Sequence, residues 1–102
     1  MEIMVIVLFR SRLTSAAGDD YAKMAAEMVS TAQGMPGFVD VKSYQAEDGE
    51  RLTVVRWQDE ETMRAWRQHP RHLIAQRLGR EKWYETFHLE VATLVRASDF
   101  HR

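Results

Sequence analysis

The stretch Trp57-Gln-Asp-Glu-Glu-Thr-Met-Arg-Ala-Trp66-Arg-Gln-His69-Pro70-Arg-His72-Leu-Ile-Ala-Gln76 decides how the rest of the chain is arranged. It leaves a strand at Trp57 and enters a helix through Asp59, whose carboxylate can accept an orphan N–H of the first turn. Glu60 and Glu61 add favourable negative charge there. Met63 and Trp66 fall on one side of the helix and mark its inner face. A residue before proline avoids helical geometry, so the helix ends at His69, and Pro70 opens a second short helix at its first position. That helix runs to about Leu78, with Gly79 as its expected cap. Two of the three tryptophans and two of the four histidines lie in this stretch. Trp66 and His72 are the first candidates to line any pocket with chemistry in it.

Upstream, Ile3 to Phe9 reads as a strand: short, rich in β-branched residues, and apolar at odd and even positions alike. Arg10 to Ser15 is a polar exit. Asp19-Asp20 then offers a helix N-cap, and Tyr21, Met24, Ala25, Met28, Val29 and Ala32 recur at the spacing of one buried helical face. Gly34 ends that helix and Pro36 prevents a restart. Phe38 to Ala46 alternates, with Phe38, Asp40, Lys42 and Tyr44 on one side and Val39, Val41 and Ser43 on the other. Glu47-Asp48-Gly49-Glu50 is a hairpin turn, and Leu52 to Trp57 is the returning strand. Downstream, Arg80 to Glu85 is a charged loop or single turn holding Trp83 and Tyr84. Thr86 to Arg96 is the last strand, with Phe87, Leu89, Val91, Thr93 and Val95 on one face.

The order is β-α-β-β-α(α)-β, a ferredoxin-like α+β fold with an antiparallel four-stranded sheet and its helices on one side. One domain over residues 1–97 accounts for the pattern, and 98–102 form a loosely docked tail. A chain of 102 residues with 45% hydrophobic and 28% charged side chains is a soluble globular domain. The formal net charge of −1, without a basic stripe, argues against nucleic acid or an anionic membrane as partner. The longest apolar run is too short to span a bilayer, and no leader pattern precedes it. The absence of cysteine excludes disulfides, thiolate metal sites and cysteine nucleophiles, and a cytoplasmic location is expected. Pro70 separates His69 from His72 and no carboxylate stands at a matching spacing, so no metal site is expected.

Helices on one side leave a difficulty. The first strand is apolar on both faces and the last is partly so, which would leave a monomer with a larger apolar patch than soluble monomers tolerate. At about 25 cal/mol per Å², burying that face against a twin sheet contributes several to ~20 kcal/mol before entropic costs. A homodimer packed sheet against sheet is therefore expected.

Three segments carry a resemblance: Met35-Pro36-Gly37-Phe38-Val-Asp-Val-Lys-Ser-Tyr44, Leu52-Thr-Val-Val-Arg-Trp57-Gln-Asp-Glu-Glu, and Ala65-Trp66-Arg-Gln-His69-Pro70-Arg-His72. Together they resemble the antibiotic biosynthesis monooxygenase (ABM) superfamily of dimeric α+β barrels, over nearly the whole chain from Ile3 to about Arg96. The resemblance implies one of several activities. These are cofactor-independent oxidation of polycyclic phenols to quinones, quinol oxidation, and haem degradation. The haem-degrading branch uses an Asn on the first strand, a Trp on the second helix and a His as haem ligand. Trp66 matches that Trp, whereas Gln76 stands at the ligand position and Leu8 or Phe9 at the Asn; His72, one turn before Gln76, is the alternative ligand. In the polyketide-oxidising branch an Asn precedes the Trp by one turn, and Thr62 stands there.

Oxygenation without a cofactor needs a substrate that itself gives an electron to O₂, normally a phenolate, held in a desolvated, anion-stabilising site. A histidine near neutral pKa suits the base, and aromatic walls suit a planar ring. The expected roles follow. Trp66 stacks on a small aromatic substrate and His72 takes its proton. Tyr44, Trp57, His69, Gln76 and Tyr84 complete the binding walls, and Arg56 or Arg67 holds a phenolate. The other expectation, from a different class, is a non-catalytic dimeric module that binds a small aromatic or haem-like ligand.

Overall fold

The computed structural model describes residues 3–102; the first two positions of the expected domain lie outside them. The elements are β1 (Val5–Leu13), α1 (Asp19–Gln33), β2 (Phe38–Gln45), β3 (Arg51–Trp57), α2 (Glu60–Arg67), α3 (Pro70–Leu78), a single π turn over Gly79–Trp83, and β4 (Tyr84–Thr93). The four strands form one antiparallel sheet in the order β2-β3-β1-β4. This is the ferredoxin-like α+β fold expected from the element order.

Strand pairing fixes which side chains share a face. Val5 lies opposite Trp57 and Val7 opposite Val55, so these four look toward the helices. There Val5, Ala32, Trp57, Met63 and Trp66 form the buried core, with Val7, Met28, Met35, Phe38 and Val55 packed against it. α1 and α2 lie over β2 and β3. Met28 of the α1 stripe is therefore packed against the core, while Met24 is half-buried and Val29 at the margin is exposed.

Four features depart from the sequence expectation. β1 does not stop at Phe9 but continues to Leu13, because Arg10 and Arg12 reach across to Glu50 and Asp48 (3.2 and 2.8 Å) and stay in register. In β2 the pairing shifts between Phe38 and Asp40, so strict alternation fails: Phe38 and Val41 share the helix side, while Asp40, Lys42 and Tyr44 share the other. β4 begins at Tyr84 and ends at Thr93, two residues earlier and three residues earlier than its expected ends. Gly79 does not terminate α3 with a left-handed residue, because its φ is −60° and the chain continues helically into the π turn. Residues beyond Thr93 form no regular element.

On the side away from the helices, Ile6, Leu8, Leu52 and Val54 form the apolar centre of the sheet. The pairs Arg10–Glu50, Arg12–Asp48 and Arg56–Asp40 surround it. On the helix side, Phe87, Leu89 and Val91 of the edge strand β4 stand opposite Ser11, Phe9 and Val7 and are exposed, beyond the part of the sheet that α1 and α2 cover.

Candidate functional site

The end of β3 and the start of α2 are built around a tight approach. Gly37 has φ of 82°, and a Cβ there would collide with the Thr62 side chain. The Gly37 carbonyl accepts the Gln58 N–H at 2.7 Å. Asp59 caps α2 as expected, its carboxylate accepting the Thr62 N–H at 2.8 Å. These contacts set the first turn of α2, and one helical repeat turns Met63 and Trp66 inward onto Trp57.

Three rings then form a column. Trp57 and Trp66 are stacked with centroids 6.2 Å apart, and His72 stacks on Trp66 at 4.7 Å with the planes 17° apart. His69 leans on Trp66 at 5.6 Å. Its Nδ1 is already engaged, accepting the Arg71 N–H at 3.1 Å as the N-cap of α3. Pro70 occupies the first turn of α3, as its fixed φ favours. Arg71 pairs with Glu27 and so ties α3 to α1.

His72 is the chemically unusual member. Its Nδ1 is buried and has no hydrogen-bond partner among the described residues. Burial pulls its pKa below the usual histidine value, and the nearby charges of Arg67 and His69 add to this. The carbonyls of Arg67 and Trp66, at the end of α2, pull the other way. At neutral pH the ring is therefore uncharged, and one of its two nitrogens is left without a partner.

The remaining expected residues divide. Trp57, 0% exposed, is the floor of the core and reaches a ligand only through Trp66. Tyr44 is 50% exposed on the sheet face opposite the helices, beside Lys42, because of the shift in β2. Tyr84 sits with Phe9, Tyr21 and Phe87 in an aromatic cluster that shares no ring contact with Trp66 or His72. Burial raises its pKa, so its hydroxyl stays protonated. Gln76 lines a surface cleft of about 360 Å³ between α2 and α3, together with Arg64, Arg67, Gln68 and Leu73. Of these only Arg67 and Gln76 were marked by the sequence. The signal for Arg64 and Gln68 was present, because with Arg67 they stand at i, i+3 and i+4, one polar helix face, whereas Leu73 carried none.

Haem does not fit these residues. Gln76, at the ligand position, has no imidazole. Leu8 points to the far side of the sheet, and Phe9 is packed against Tyr84 and Phe87. His72 is covered by the Trp66 ring.

The comparisons with known proteins agree with this fold. An uncharacterized protein of Bacillus subtilis, YqjZ, is 37% identical over 90 residues, covering 88% of this chain and 78% of its own. A jasmonate monooxygenase of Pyricularia oryzae is 28% identical over 104 residues; this is 97% of the chain but 48% of that enzyme, so the chain spans about half of it. SnoaB, a cofactor-independent oxygenase from Streptomyces nogalater, superposes with a TM-score of 0.78 at 18% identity, covering 93% of this chain and 96% of that one. The profile of the antibiotic biosynthesis monooxygenase family matches residues 4–78. With three quarters of its length accounted for in this way, and its sheet and helices ordered as described, the chain belongs to the antibiotic biosynthesis monooxygenase family.

Proposed function

We propose that this protein is a cofactor-independent monooxygenase that oxidises a small planar phenol or quinol with O₂, working as a homodimer. The observation that carries this is the unpartnered Nδ1 of His72, buried against the face of Trp66. A buried polar atom without a partner costs on the order of 1–3 kcal/mol, which a phenolic hydroxyl placed there would relieve once the ring presents that nitrogen as its acceptor. The kinship with a jasmonate monooxygenase and the structural likeness to SnoaB support the reaction class.

In this reading the neutral imidazole of His72 takes the phenolic proton. The phenolate gives one electron to O₂, and the resulting radicals combine at a ring carbon. Loss of water from that hydroperoxide leaves the quinone, so one O₂ is consumed and one water released per phenol. The protein supplies the base, a dry aromatic wall at Trp66 and orientation. A 4.7 Å column has no gap for another ring, so α3 must swing outward to admit one. The swing breaks the half-exposed Arg71–Glu27 pair but uncovers no fully buried residue of α3, and the proline junction at its N-terminus is the hinge. The homodimer reading rests on the apolar residues Ile6, Leu8 and Leu52, half-buried around Val54 on the sheet face away from the helices.

The test is oxygen uptake with a panel of bicyclic and tricyclic phenols, run with wild type, His72→Ala and Trp66→Phe. Uptake matched to quinone formation is expected, with kcat lowered about 10²-fold or more in His72→Ala. Quinone formation that continues unchanged under argon, or a His72→Ala variant as fast as wild type, would defeat the proposal.

A further inference from the structure

We propose that the cleft between α2 and α3 is a binding subsite for a single carboxylate, so that the ligand of this protein is an aromatic monoanion rather than a neutral phenol. The inference deepens the function proposed above and rests on it for the identity of the ring, but not for the site.

The cleft has about 360 Å³, near the lower end of the roughly 300–1,000 Å³ of small-molecule sites. Its lining is divided by chemistry: two guanidinium groups, two carboxamides and one apolar side chain, Leu73. Counting charge decides what it takes. Arg64 is already neutralised by Glu60, one turn earlier at 2.8 Å. Arg67 makes no ion pair among the described residues. One positive charge is thus left over, which matches a monoanion; a dianion would have to strip Arg64 from Glu60. A guanidinium fork binds a carboxylate through two parallel hydrogen bonds, and the amides of Gln68 and Gln76 can donate to the oxygens from the sides. Leu73 provides an apolar wall beside them.

The position of the cleft connects it to the column. Arg67 directly follows Trp66, and its charge is one of those that act on His72. Leu73 directly follows His72, and Gln76 is one turn further along α3. A carboxylate on Arg67 would leave the body of a ligand running over Leu73 toward the His72–Trp66 pair.

The test is binding, independent of turnover. Calorimetry and amide NMR under argon would compare para-hydroxybenzoate, its neutral counterpart para-cresol, and inorganic phosphate, using wild type, Arg67→Gln, Arg64→Gln and a control, Lys23→Gln, at an exposed position of α1. The expected result is that para-hydroxybenzoate binds at least tenfold more tightly than para-cresol and shifts the amides of Arg67, Gln68 and Gln76. Arg67→Gln should lose about tenfold for para-hydroxybenzoate and nothing for para-cresol, and Lys23→Gln should match wild type. Equal affinity for the acid and the cresol overturns the proposal. So does tighter binding of phosphate, or a loss in Lys23→Gln equal to that in Arg67→Gln. Binding as expected without oxygen uptake would remove the monooxygenase and leave the subsite. Oxygen uptake with neutral phenols alone, undiminished in Arg67→Gln, would do the reverse.

Discussion

His72 is under two demands that pull in opposite directions. Packing against Trp66 favours a flat apolar ring, and its bare Nδ1 is a polar atom that folding has deprived of water. His72→Phe should therefore leave stability unchanged or raise it by about 1 kcal/mol at neutral pH, read from urea unfolding, while abolishing proton transfer. The same residue makes stability depend on pH. Its folded pKa lies below the 6.5 of the free group, so the unfolded chain binds the proton more readily. Its contribution is thus full above pH 6.5 and is lost as pH falls through the folded pKa. In His72→Phe that share of the acid-side slope should vanish; an unchanged slope would assign it elsewhere. The sequence marked His72 as a pocket candidate beside Trp66, but not the missing partner, because hydrogen-bond satisfaction is a property of every atom around the ring.

At the level of elements, the Pro70 break was legible in the chain, since proline geometry is local. Gly79 was not. It was read as a helix terminator, yet its backbone is right-handed and any residue could adopt it. Glycine is required there because a Cβ would lie 2.5 Å from the Tyr84 ring. Gly79→Ala should cost about 1–3 kcal/mol in thermal or urea unfolding and disturb the near-ultraviolet signal of the Tyr21–Trp83–Tyr84 cluster. Pro70→Ala, which changes mainly the freedom of the unfolded chain, should cost less than about 1 kcal/mol. If the two costs came out in the reverse order, the ring contact would not be what selects glycine. The β2 shift belongs to the same class of surprise: one extra residue at Val39 moved Tyr44 to the far face, and no pattern within the strand announced it.

At the scale of the whole molecule, Ile6, Leu8 and Leu52 stay half-buried around the buried Val54 on the sheet face away from the helices, and a second copy would complete their burial. Sedimentation equilibrium should give twice the mass of the chain, and Leu8→Arg should give a folded monomer with lower or no oxygenase activity. A wild type that stays monomeric at micromolar concentration would remove the dimer from the functional reading. The ring of arginine–carboxylate pairs around that centre also predicts register: Arg12→Glu should weaken association even though it lies at the rim.

Element order, helix caps and the polar-to-apolar rhythm are local or near-local properties, and the residues alone determined them: the antiparallel four-stranded α+β fold, the Asp59 cap and the inward turn of Trp66 all follow from short-range sterics and periodicity. Only the tertiary structure decided which aromatic residues meet. Trp57, Trp66 and His72 come together because one strand end and two helices converge there, whereas Tyr44 and Tyr84 are carried to other places by a strand shift and by the edge position of β4. Contacts between residues distant in the chain depend on register and packing summed over the whole sheet, and no single stretch contains that sum.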